Sequence, residues 1–141
     1  MKACKSSATR LFIDGIQQKI QTEWTDSPPS LLKNLKPKIE MWSTANRANR
    51  REEVVIARLR LGHTLVTHRH LFARDPTPSC LSFNQPTTIL HLLDDCLDYK
   101  EQRQKIFGRE KFPVHSHLDD REESVSTVLT FVRATGLYEN I

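Results

Sequence analysis

A chain of 141 residues, 38% hydrophobic and 27% charged, can bury one modest core, which limits it to a single domain or a domain with a short arm. Its 21 basic against 17 acidic side chains leave a net charge of +4 and a pI near 9.1, a mild bias towards polyanions that excludes a histone-like protein. Three cysteines without framework spacing, 4 glycines without a phosphate-cradling loop and no apolar run near ~20 residues exclude a disulfide scaffold, a nucleotide-binding enzyme and a membrane span.

In chain order, residues 8–24 are expected to form a helix, with Ser7 as its cap and Phe12, Ile16, Ile20 and Trp24 on one apolar stripe beside Leu11. Asp26-Ser27-Pro28-Pro29 ends it, because proline lacks an N–H and restricts the residue before it. Residues 31–42 read as an extended or broken connection, since Pro37 interrupts any helix there. Residues 47–60 are expected to be a second helix. Asn49 with Glu52 has the spacing of a capping box, Thr44 offers an earlier start, and Gly62 is the stop. Ala48, Val55, Ile56 and Leu59 share one face of that helix, while Arg47, Arg51 and Arg58 share another, with Arg50 at its edge.

A third helix is expected over 64–72, a loop at Asp75-Pro76-Thr77-Pro78-Ser79, and a short hairpin around 80–83. Further helices follow over 87–95, over 99–107 with a stop at Gly108, and over 122–134 before Gly136. Residues 111–120 are polar and irregular. No run alternates as a half-buried strand does, so the class is mainly α: a small helical domain with a short CxxC-like hairpin and an N-terminal helix arm. Its core is expected to hold Val55, Leu59, Leu65, Ile89, Leu90, Leu93 and Leu129.

The charge is uneven. Residues 33–74 carry ten basic and three acidic side chains (10 − 3 = +7), and residues 94–141 carry seven and ten (7 − 10 = −3). Any polyanion would therefore meet the middle of the chain, where Arg47, Arg50, Arg51, Arg58 and Arg60 are the candidate contacts. The alternative is that these arginines are solvated or pair with the chain's own acids.

Cys80, His91 and Cys96 are candidate zinc ligands, since two thiolates and an imidazole suit Zn²⁺. A CxxC turn would put the fourth ligand at position 83, which holds phenylalanine. Water, Asp95 or a distant histidine could complete a weak site; otherwise the cysteines are small buried hydrophobes and His91 a core hydrogen-bonder. His63, His68, His70, His115 and His117 read as structural, and Asp94, Asp95 and Asp98 as a solvated acidic face. No ordering of Ser, Cys, His and Asp supports a nucleophile, so no enzyme is expected.

The segment Arg50-Arg51-Glu52-Glu53-Val54-Val55-Ile56-Ala57-Arg58-Leu59-Arg60-Leu61-Gly62-His63-Thr64 resembles a stretch of non-LTR retrotransposon polyproteins of the jockey and I type. Val66-Thr67-His68-Arg69-His70-Leu71, Pro78-Ser79-Cys80, Thr88-Ile89-Leu90-His91-Leu92-Leu93, Cys96-Leu97-Asp98-Tyr99 with Arg103, and Val128-Leu129-Thr130-Phe131-Val132-Arg133-Ala134-Thr135-Gly136-Leu137-Tyr138 are similar to that family's following segments, in order. The Trp24 helix and Lys36-Pro37-Lys38-Ile39-Glu40-Met41-Trp42 resemble the end of its RNase H domain and the linker after it. The resemblance implies residues 1–32 as the end of an RNase H domain, 33–46 as a linker and 47–141 as a helical domain with a degenerate Cys/His finger. It implies a piece downstream of the reverse transcriptase, without the polymerase's paired aspartates or the RNase H acids. The family's finger has four metal positions, of which Cys80, His91 and Cys96 match three, while Phe83 replaces the other.

Two roles follow as expectations. One is a non-catalytic module that binds RNA or DNA weakly and without specificity, with a weak zinc site. The other is a decayed or domesticated remnant serving as a helical protein-interaction domain with no nucleic-acid role. Either would be intracellular, nuclear or cytoplasmic rather than secreted, without a membrane partner; the sequence is silent on oligomeric state.

Overall fold

The computed structural model describes residues 7–108 and 117–141, and the chain divides into two compact units, Met1–Glu40 and Met41–Ile141. Residues 111–116, with His115, lie outside the described residues.

In the first unit, α1 (Ser7–Asp26) runs to the Ser27-Pro28-Pro29 break, and α2 (Leu31–Leu35) starts at Ser30, whose hydroxyl accepts from the Lys33 N–H at 3.1 Å. The chain after α2 lies against α1 through polar bonds. The Trp24 indole N–H donates to the Lys36 carbonyl (3.0 Å), and the Gln21 side chain accepts from the Ile39 N–H (2.8 Å) while donating to the Pro37 carbonyl (3.0 Å). The expected apolar stripe lines up on α1 but is open along most of its length, with Leu11 73%, Phe12 70%, and Ile16 and Ile20 each 44% exposed and no residue of the helix buried.

The second unit holds the core. α3 (Arg50–Leu61) begins at Asn49, whose side chain accepts from the Arg51 N–H at 2.8 Å, and ends at Gly62 in the left-handed region (φ 75°). Asn49 caps as expected, but the capping box with Glu52 does not form. Glu52 turns to Arg47 and Arg133 instead. α4 (Leu65–His68) carries a capping box made by Thr64 and Thr67, and α5 (His70–Ala73) follows at once. The hairpin pairs β1 (Ser79–Cys80) with β2 (Gln85–Pro86), antiparallel, with Cys80 opposite Gln85. A π-helical turn (His91–Asp95) and a 3₁₀ turn (Leu97–Tyr99) lead into α6 (Lys100–Phe107). α7 (Glu122–Ala134) and a final turn (Tyr138–Asn140) close the described chain.

α7 packs on both α3 and α6. Val125, Val128, Leu129, Phe131 and Val132 of α7 meet Val55, Ile56 and Leu59 of α3, with Leu118, Leu137 and Ile141, and all are buried. Phe131 lies 5.2 Å from the Phe107 ring and 6.3 Å, edge-on, from Tyr99. The class is mainly α, as expected. Two expected core residues are corrected. Leu65 is 50% exposed because α4 is a single turn, and Leu90 is 42% exposed because Ile89, Leu92 and Leu93 take the inward i, i+3, i+4 positions. None of the described helices is long and apolar enough to cross a membrane.

The expected linker, 33–46, divides between the units. Residues after Met41 belong with the core, where Asp120 holds them: its carboxylate accepts from the Ser43 N–H (2.8 Å), the Thr44 N–H (2.9 Å) and the Thr44 hydroxyl (2.8 Å).

His117 lies against the Phe107 ring at 4.7 Å, and burial pushes its pKa down to about 4. A histidine kept neutral in the fold binds fewer protons than its unfolded counterpart below pH ~6.5, so stability falls as the pH drops towards 4. His68, lowered by burial and by His63 and His70, acts in the same sense. With a chelator present, the melting temperature is expected to fall between pH 7 and pH 4.5, and His117→Phe should flatten most of that slope. An unchanged slope in the variant contradicts the assignment.

Candidate metal centre

The hairpin and the π turn together build the site. The loop from Cys80 turns tightly: the Cys80 carbonyl accepts from the Phe83 N–H (3.3 Å) and the Asn84 N–H (2.7 Å), and Asn84 takes a left-handed conformation (φ 49°). The Thr87 N–H donates to the Pro78 carbonyl (2.8 Å), extending the ladder, and the Ser82 hydroxyl donates to the Asp98 carboxylate (3.1 Å), fastening the loop to the 3₁₀ turn. Thr88 positions the start of the π turn, since its hydroxyl accepts from the His91 N–H at 3.1 Å.

The π turn aligns His91 with Cys96. In a regular α-helix residues five apart are about 140° out of phase. Here the Cys96 N–H donates to the His91 carbonyl at 2.8 Å, the i+5 bond of a wider turn, and brings the two residues towards one side. Arg103 supports that turn from beneath. It is 1% exposed and donates to the carbonyls of Leu92 (3.4 Å) and Cys96.

As a result Cys80, His91 and Cys96, all buried, place one ligand atom each within 4.8 Å of one another, and the two sulfurs are 3.8 Å apart. The His91 Nε2 is buried and has no hydrogen-bond partner. Burial pushes the Cys96 thiol up. A buried imidazole nitrogen without a partner beside two thiols is a costly arrangement for a purely apolar core, and it is the donor set a soft divalent cation satisfies. The group can therefore hold a metal ion. Among the described residues no fourth donor joins it. The ligand set expected from the sequence thus closes in space at three positions, and Phe83 stands with its ring edge-on to the His91 imidazole at 5.5 Å.

The arginines on and around α3 are mostly engaged within the fold. The spacing that lines up Arg47, Arg51 and Arg58 does not make an open basic face, because acceptors from the C-terminal segment meet it. Arg47 binds Glu52 and Glu122, and its side chain is 12% exposed. Arg51 donates to the carbonyls of Tyr138 (2.7 Å) and Glu139 (3.1 Å), and Arg58 to that of Ile141 (2.5 Å). Arg60 is 5% exposed, lies 3.8 Å over the Trp42 ring, and donates to Leu118, Asp119 and Thr44. Arg50 stays open, with its side chain 84% exposed beside Glu53. Sequence spacing could not reveal this, since the acceptors from the C-terminal segment lie 58 to 88 residues away.

Comparison of the chain with protein-family models, with curated proteins and with solved structures finds no match.

Proposed function

We propose that the chain is a non-catalytic helical module from the C-terminal region of a jockey- or I-type non-LTR retrotransposon polyprotein, organised around a zinc ion held by Cys80, His91 and Cys96. The observation that supports it best is the convergence of three soft donors within 4.8 Å around a buried, partnerless His91 nitrogen. Zinc would tie the hairpin to the π turn and stabilise the Cys96 thiolate, which burial disfavours. Binding releases protons, so affinity rises with pH.

Of the two roles expected from the sequence, the protein-interaction module is favoured over the nucleic-acid module by one observation: Arg47, Arg51, Arg58 and Arg60 are engaged inside the fold, which leaves Arg50 as the open cation of that set. A log–log salt slope near −0.9 per neutralised phosphate means the α3 face can supply about −1 rather than the roughly −4 of four arginines. The expected result is no retention on single-stranded RNA or duplex DNA at ~50 mM salt, where phosphate contacts are strongest. Retention with a slope near −4, flattened by changing Arg50, Arg51 and Arg58 together to Gln, restores the nucleic-acid role. For the metal, melting with and without a chelator tests the reading. Zinc at 1,000 times its Kd adds about 4 kcal/mol to a fold that alone binds it, and Cys80→Ser should remove that gain.

A further inference from the structure

We propose that the metal position is open on the side of Phe83 and takes its fourth donor from outside the chain, as a thiolate. This rests on the zinc reading above and goes beyond it. The hairpin delivers residue 83 to the donor group, where a fourth ligand belongs, yet delivers a ring without a donor atom. A closed structural zinc site has four ligands, and a site with three protein donors keeps a position for an exogenous one.

The surroundings of Phe83 fit such a ligand. Phe83 is 42% exposed, and with His91 it lines a pocket of about 290 Å³ whose wall also includes two carboxylates, Asp94 and Asp95, and two cations, Lys100 and Arg103. The pocket opens to solvent at Phe83, and the donor atoms of Cys80, Cys96 and His91 are buried behind that ring, so an incoming ligand would reach them by displacing it. Thiolate is the donor of choice for three reasons. It is as soft as the two sulfurs already present. It completes the Cys₃His set found in closed zinc sites. With two thiolates and a neutral imidazole the centre carries no net charge, so one further anion leaves it at −1, the charge such a set ordinarily has.

The full chain loaded with cobalt(II) in place of zinc gives the readout, with phosphine reductant in every sample and metal content checked before and after. Titration with 2-mercaptoethanol is expected to intensify the sulfur-to-cobalt charge-transfer bands saturably while the cobalt stays bound. Phe83→Cys should show the intensified spectrum without added thiol, lose the response, and bind zinc more than ~100-fold tighter, since even loss of an outer-shell partner costs ~10–100-fold. Phe83→Ala, which removes the ring and adds no donor, should keep the response if the cysteine variant does not fold. A parent chain that holds cobalt but does not respond overturns the open position and leaves the zinc reading standing. A response to azide and none to the thiol overturns the thiolate assignment. A chain that takes up no cobalt overturns both.

Discussion

Replacing Arg60 with leucine is expected to destabilise the Met41–Ile141 unit by about 3–5 kcal/mol, the scale seen when one partner of a buried charged network is removed. Arg60 comes from the α3 face opposite the solvent, and its guanidinium fork meets the Leu118 carbonyl at 3.0 Å, the Asp119 carbonyl at 2.6 Å and the Thr44 hydroxyl at 2.8 Å. The Trp42 ring covers it at 3.8 Å, so it closes residues 42–44 and 118–119 onto one helix. Burial lowers its pKa to about 10, which leaves it charged at neutral pH. Leucine fills part of the volume but leaves three acceptors without a donor. Lysine keeps the charge but lacks the planar fork, so Arg60→Lys should recover only part of the loss. Urea unfolding checks this. A loss below ~1 kcal/mol, the range of a surface ion pair, contradicts the buried role.

The second large effect is expected at Arg103. Arg103→Met should cost about 3–5 kcal/mol by the same reasoning and also weaken zinc binding by ~10–100-fold. The Arg103 side chain holds the Leu92 and Cys96 carbonyls, and through them the wide turn that swings Cys96 towards His91. Zinc competition against a chromophoric chelator, at a temperature where the variant is folded, separates the two losses. A variant that is less stable but binds zinc as the parent does contradicts the positioning role.

Much of the architecture is legible in the sequence where local chemistry decides it. The α7 bounds, the Asn49 cap and the stops at Gly62 and Gly108 follow from spacing, capping side chains and left-handed glycines. The donor trio is legible as residue types, but its closure is not. Nothing in His91-Leu92-Leu93-Asp94-Asp95 announces a π turn, because that turn is selected by what packs around it, Arg103 included. The direction of the arginines is hidden for the same reason. Spacing places Arg51 and Arg58 on one stripe, and only the fold brings the carbonyls of residues 138, 139 and 141 against it. The unit boundary at Glu40 falls within the 33–46 segment, and sequence does not announce it, since Asp120, which holds Ser43 and Thr44, is 77 and 76 residues away from them.

The zinc centre is tested most directly by native mass spectrometry of the full chain after equilibration with zinc and removal of the excess. The expected spectrum shows one zinc per parent chain, and none on the Cys80→Ser, Cys96→Ser double variant. A parent chain that emerges without zinc, or a double variant that retains zinc equally well, contradicts a metal site at Cys80, His91 and Cys96.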